Sequence, residues 1–155
     1  MIMKPLKVGE IVPPFKVNDH LGNPQSLENH KGSKVVIFFY PKANTPGCTA
    51  EACNLRDHYK ELKEAGYVLF GVSADAELKQ KKFADKFNLP FLLLADTERT
   101  ILNSFGVWGP KKFMGKEYDG IHRMTFILDE DGVIERVIDK VKTKTHAEQI
   151  LETEA

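Results

Sequence analysis

The sequence predicts an α/β fold: a mixed central sheet with helices on both faces and an N-terminal hairpin. Three observations carry this reading. Two continuous apolar runs, KVVIFFY at 34–40 and YVLFGVS at 67–73, read as strands buried on both faces. Helical stretches alternate with such runs, the order that builds a parallel sheet. Finally, HRMTFILDEDGVIERVI at 122–138 holds two apolar stretches around a Glu130–Gly132 turn, which adds an antiparallel hairpin.

In chain order, FKVNDHLGNPQSL at 15–27 reads as a short hairpin with turn chemistry at His20–Pro24. The first buried strand follows at 34–40. A helix is expected from Pro46 to Ala65, ended by Gly66. After the strand at 67–73, AELKQKKFADKFN at 76–88 is a helix whose apolar spacing falls on Leu78, Phe83 and Phe87. FLLLA at 91–95 is the third central strand, and a short helix lies near Glu98–Phe105. The hairpin at 122–138 is followed by a last helix that begins near Thr145. A thioredoxin-like layered sheet fits this order, but a fold does not name a function.

With 155 residues, the chain is expected to form one domain over 1–155, large enough for a substantial core. Its 42% hydrophobic and 28% charged residues are close to the globular average, which argues against disorder. Lys plus Arg and Asp plus Glu both number 22, so no excess charge favours nucleic acid or anionic lipid. Lys79, Lys81 and Lys82 read as a solvated helix face. The N-terminal MIMKPLKVGEIVPPF lacks a secretory apolar stretch, and no segment has the ~18 apolar residues of a membrane span. A cytoplasmic protein is expected, and there a lasting disulfide is uncommon.

Both cysteines, Cys48 and Cys53, fall in FFYPKANTPGCTAEACNLRD at 38–57. Thr45 is placed to cap the helix and Pro46 to open it. Cys48 then sits in the first turn, at the C-terminal end of a central strand, where free N–H groups and the helix dipole favour an anion. Ligands bind at that edge of open α/β sheets. The alternative is that both thiols fill the core, a frequent fate of free cysteine. Five residues of helix rise about 7.5 Å and separate the Cα atoms by roughly 8–9 Å, beyond the ~7 Å reach of a disulfide. Either the two never bond, or the first turns unwind. Unwinding is the expectation.

Other chemistries have thinner support. The cysteine spacing is not that of a structural zinc site. His20, His30, His58, His122 and His146 are scattered singly, each expected at the surface rather than on a metal; His122 is only a weak partner for a copper site. GVSAD around Ser73 lacks the glycine of a nucleophile elbow. There is no phosphate loop and no C-x-x-C motif. A non-enzymatic interaction module with bystander cysteines stays open on the residues alone.

PKANTPGCT at 41–49 resembles the active-site loop of peroxiredoxins, with Pro41, Thr45 and Cys48 at the positions of its Pro-x-x-x-Thr-x-x-Cys pattern. The second cysteine followed by NLRD, and GKEYDGIHRMTFILDEDG at 115–132, resemble the bacterioferritin comigratory protein or peroxiredoxin Q subfamily. The resemblance runs from about Val8 to the last helix. It implies a thiol peroxidase that reduces hydrogen peroxide and organic hydroperoxides, without metal or bound cofactor. It also implies Cys48 as peroxidatic and Cys53 as resolving cysteine, joined in an intramolecular disulfide that a thioredoxin-like dithiol reduces. Thr45 would bond thiolate and peroxide, Arg123 would supply positive charge from a strand it shares with Thr125 and Ile127, and Pro41 would shield the pocket. Glu51 is assigned to the helix start, and Trp108 and Phe113 to the pocket or its surroundings. The subsidiary expectation is a monomer or small homodimer.

Overall fold

The computed structural model describes residues 4–152, except the side chain of Phe113. Strands β3 (Lys34–Phe39), β4 (Tyr67–Ser73), β5 (Leu92–Ala95), β8 (Met124–Leu128) and β9 (Ile134–Ile138) form the central sheet, in the order β5-β4-β3-β8-β9. β3, β4 and β5 run parallel, whereas β8 and β9 join antiparallel. The mixed sheet is as expected. The N-terminal hairpin is β1 (Lys16–Asn18) with β2 (Pro24–Ser26).

The run in β3 is apolar throughout because each face meets a different core. Val35, Ile37 and Phe39 pack with Ile101, Leu102 and Phe105 of α4 (Thr100–Phe105). Val36 and Phe38 join the opposite core. That core takes residues from α1 (Pro46–Asp57), α2 (Tyr59–Glu64), α3 (Glu77–Phe87) and α5 (His146–Leu151). Alternate side chains of a strand point to opposite faces, so a strand at the centre of a covered sheet needs both sets apolar. At Gly71 of β4 a Cβ would stand 2.7 Å from Phe38 Cζ and 2.8 Å from Leu93 Cδ2, so glycine is what lets those side chains meet.

Four expectations need correction. The helix over 46–65 is two helices, broken at His58, whose φ of −111° and ψ of 14° leave the helical region. Its ring Nδ1 lies 3.0 Å from the Asn54 carbonyl, which also accepts from the His58 N–H at 3.2 Å. Leu78 does not face the core of α3 but is 64% exposed, and Gln80 is buried in its stead. Polar Gln80 can occupy that position because its amide donates to Ser73 Oγ and Leu94 O. Arg123 is not on a strand; it is the residue before β8. A further hairpin, β6 (Trp108–Phe113) with β7 (Lys116–Ile121), covers a segment without a predicted element. Its exposed residues Lys116, Glu117, Tyr118 and Asp119 lack the apolar alternation that announces a strand.

Candidate active site

The C-terminal ends of β3 and β4 and the start of β8 converge on one place. β3 runs out into Tyr40, and the loop 41–45 turns the chain into α1. That turn uses Asn44 at φ 64°, a left-handed position that asparagine tolerates. The loop is tied to β4 through Asp75, whose Oδ2 accepts from Ala43 N at 2.7 Å and from Ser73 Oγ at 2.8 Å. Pro41 opens the loop and Thr45 occupies the N-cap position, with Thr49 N donating to Thr45 O at 2.8 Å. The Thr45 hydroxyl makes no capping bond; it donates to Lys42 O at 2.8 Å.

Cys48 lies in the first turn of α1, buried, and Cys53 lies farther along the same helix, half-buried. Both are free thiols. Arg123 Nη2 donates to Cys48 Sγ at 3.3 Å, while Nη1 donates to Glu51 Oε1 at 2.6 Å. One guanidinium thus spans sulfur and carboxylate, as its fork of donors allows. Gly47 leaves room for it: a Cβ there would be 3.2 Å from Nη2. The arginine side chain keeps 21% of its exposure and Glu51 none, so the pair meets solvent on the arginine side.

The matching family is described as AhpC/TSA, over residues 8–137. The chain belongs to the AhpC/TSA family. Peroxiredoxin Bcp of Escherichia coli (strain K12) is 49% identical over 149 residues, 96% of each chain. The crystal structure of peroxidoxin BcpB from Mycobacterium tuberculosis matches at a TM-score of 0.82 and 36% identity, covering 93% of both chains. Bacterioferritin comigratory protein of Xanthomonas campestris, studied as trapped-intermediate and ligand complexes for its alkyl peroxide reduction activity, matches at 0.83 and 33% identity, covering 88% and 87%. This AhpC/TSA chain is accordingly a peroxiredoxin of the Bcp and peroxiredoxin Q branch, a thiol-dependent peroxidase.

Several residues of this AhpC/TSA site carry no local signal in the sequence. His146, expected at the surface, is wholly buried beside Glu51, as the first residue of α5. His20 is buried as well and accepts from Leu93 N at 3.2 Å. Lys111 of β6 donates from Nζ to Ile121 O at 2.8 Å, and burial, with the Arg123 charge, lowers its ammonium from the usual lysine range. Asn54, just after Cys53, accepts from Ala147 N at 2.7 Å and so caps α5 from another helix. Tyr40 is buried under the loop with its hydroxyl on Gln80. Trp108 is half-buried against the core on the α4 side, with Arg99 over its ring at 4.8 Å. The side chain of Phe113 lies outside the described residues. A cavity of about 820 Å³ lies at the far end of the sheet, between Val12, Phe15 and Leu128, and touches none of these groups.

Burial pushes the Glu51 carboxyl up to about 7 despite the Arg123 charge, and burial pushes the His146 imidazole down to about 4. The two have opposite linkage. Glu51 contributes stability that is complete below its unfolded value of about 4.5 and is lost as pH rises through 7. His146 contributes stability that is complete above about 6.5 and is lost as pH falls through 4. Between those limits the slopes offset each other. Glu51→Gln removes one of them, so its stability in urea melts should fall on acidification from pH 6.5 to 4 by on the order of 3 kcal/mol more than wild type. Parallel pH curves for the two proteins would contradict this.

Proposed function

We propose that Cys48 is the peroxidatic thiol and Cys53 the resolving thiol of a two-cysteine cycle, with Arg123, Thr45 and Pro41 shaping the site. The observation that carries the reading is the 3.3 Å contact between Arg123 Nη2 and Cys48 Sγ in the first turn of a helix. A guanidinium and unpaired helix N–H groups both favour thiolate, the attacking form. The thiolate attacks one peroxide oxygen and the O–O bond breaks. Sulfur is oxidised to sulfenic acid, and the other oxygen leaves as water or an alcohol after taking a proton. Thr45 turns its hydroxyl from Lys42 O to thiolate and peroxide, donating to one and accepting from the other. Pro41 screens the pocket from bulk water.

Cys53 then attacks the Cys48 sulfur; the S–S bond forms, the S–O bond breaks and water leaves. Both cysteines start within the same continuous helix, so α1 must unwind locally for the sulfurs to meet. Unwinding past Cys53 strains the Asn54 bonds to α5, at Ala147 N and at Glu148 Oε1, 3.3 Å away. Those contacts favour return to the helical form once a thioredoxin-type dithiol has reduced the disulfide by exchange. Hydrogen peroxide and alkyl hydroperoxides are the substrates, the latter in keeping with the activity studied for the X. campestris relative. Residues 1–155 act as one cytoplasmic domain, monomeric or in a small homodimer. No helix of the described residues is long and apolar enough to cross a membrane.

Intact mass and free-thiol counting before and after one equivalent of hydrogen peroxide test the cycle. The expected result is loss of both thiols and of two hydrogens without covalent dimerisation. Gain of one or two oxygens with Cys53 still free would remove Cys53 from its role. An unreacted protein would remove Cys48.

A further inference from the structure

Asp75 stands two residues beyond the end of β4 and takes no part in the cycle above. The β3–β4 ladder stops at Tyr40 N, which donates to Val72 O at 3.1 Å. Past that point a side chain takes over from the ladder: Asp75 Oδ2 accepts from Ala43 N at 2.7 Å. The same oxygen accepts from Ser73 Oγ at 2.8 Å. Both bonds end on one atom.

The carboxylate is aimed by a buried network whose proton directions follow from a single backbone group. Leu94 O can only accept, so Gln80 turns Nε2 towards it, at 3.1 Å. That leaves Gln80 Oε1 to accept from the Tyr40 hydroxyl. Nε2 spends its second proton on Ser73 Oγ at 2.8 Å, and Asp75 N donates to the same oxygen at 3.2 Å. With both lone pairs of Ser73 Oγ taken, its proton goes to Asp75. Tyr40 and Ala43 bracket Pro41, so one chain of hydrogen bonds grips the loop at two points. A separate tie to the loop, from Lys86 Nζ of α3 to Asn44 Oδ1 at 3.3 Å, is exposed.

Ala43 N and Lys42 O belong to one trans peptide, planar and with its N–H and C=O pointing in opposite directions. Fixing the N–H on Asp75 therefore fixes the direction of the carbonyl. That carbonyl accepts from Thr45 Oγ at 2.8 Å. Carboxylate, peptide and hydroxyl thus form one relay, from Asp75 Oδ2 to Thr45 Oγ. We propose that Asp75 is a positioning residue for the peroxide reaction, acting through the Lys42–Ala43 peptide on Thr45. The peptide fixes where Thr45 holds its oxygen at rest, and from there the hydroxyl turns to thiolate and peroxide. The proposal rests on Cys48 being the reacting thiol and Thr45 its partner. A peptide free to turn would let the Thr45 oxygen drift, and a misplacement of about 1 Å costs on the order of 10²-fold in rate.

The test compares two reactions of Cys48 in a Cys53→Ser protein: single-turnover oxidation by hydrogen peroxide and alkylation by iodoacetamide. Asp75→Ala should slow the peroxide reaction by on the order of 10- to 100-fold and leave alkylation near its original rate, because alkylation does not use Thr45. Equal losses in both reactions would place the effect on the thiolate itself and overturn the proposal. Asp75→Asn should restore most of the peroxide rate, since one amide oxygen can accept both bonds. An asparagine variant as slow as the alanine variant would assign the effect to charge and overturn it too. In a Thr45→Val background, Asp75→Ala should add little further loss. A full loss there would detach Asp75 from Thr45 and refute the relay. Hydrogen exchange of the unmutated protein, read by NMR, needs no variant to fold: the Ala43 amide should exchange slowly. Exchange as fast as in an open loop would refute the tie. A Cys53→Ser protein inert to peroxide would refute the Cys48 reading, whereas a reactive one unaffected by Asp75→Ala would refute the Asp75 role alone.

Discussion

Cys48→Ser should lower steady-state peroxide consumption by at least about 10³-fold, since the nucleophile itself is removed. A serine hydroxyl at this position stays protonated next to Arg123 and lacks the nucleophilicity of a thiolate. The fold should survive, because Cys48 contributes only a small buried side chain to its core. Cys53→Ser separates the two halves of the cycle. That variant should still consume one peroxide per chain and then stop, with sulfenic acid trapped at Cys48. Steady-state assays with a thioredoxin-type reductant, beside single-turnover assays without one, distinguish the two. Normal turnover by Cys48→Ser would sink the assignment of the peroxidatic residue.

Arg123→Met is expected to have the next largest effect, on rate and stability together. It removes the donor 3.3 Å from Cys48 Sγ and, at 2.6 Å, the only side-chain hydrogen bond to Glu51 among the described residues. Loss of such a preorganised donor costs about 10²–10³-fold in rate. The stability cost is bounded by about 3–5 kcal/mol for breaking a buried pair, and is reduced because Glu51 can respond by holding its proton. Without the arginine, burial alone acts on Glu51 and its folded value rises above about 7. Glu51 then goes on destabilising the fold at pH values where the wild-type loss has ended. The gap between variant and wild type should therefore widen above about pH 7 in urea melts. Arg123→Lys should recover little, because a single ammonium cannot span both partners as the guanidinium does. A gap that narrows with rising pH would show that Glu51 does not depend on Arg123.

The buried strands at 34–39 and 67–73 were legible because their signal is local: consecutive apolar side chains need burial on both faces wherever they end up. The same holds for the loop into α1, where Thr45, Pro46 and Cys48 are neighbours in the chain and the helix start follows from proline and glycine chemistry. Arg123 stood out by resemblance alone, since nothing nearby distinguishes it from a surface charge. The break at His58 was hidden because no proline or glycine marks it in the sequence. The hairpin at 108–121 was hidden because half of it is polar and solvated.

The sequence by itself determined the order of strands and helices along the chain, the two-sided core and the strand–loop–helix that carries Cys48, since each rests on periodicity or on adjacent residues. Only the tertiary structure decided what surrounds the sulfur. Arg123 reaches it from 75 positions away along the chain, and Glu51 from 72 positions away meets the same guanidinium. His146, Lys111 and Asn54 were single polar residues with no pattern until the sheet and helices packed. The physical reason is that the proton and charge preferences of a buried group depend on its nearest neighbours in space. Periodicity tells which way a side chain faces, and only packing tells what it meets there.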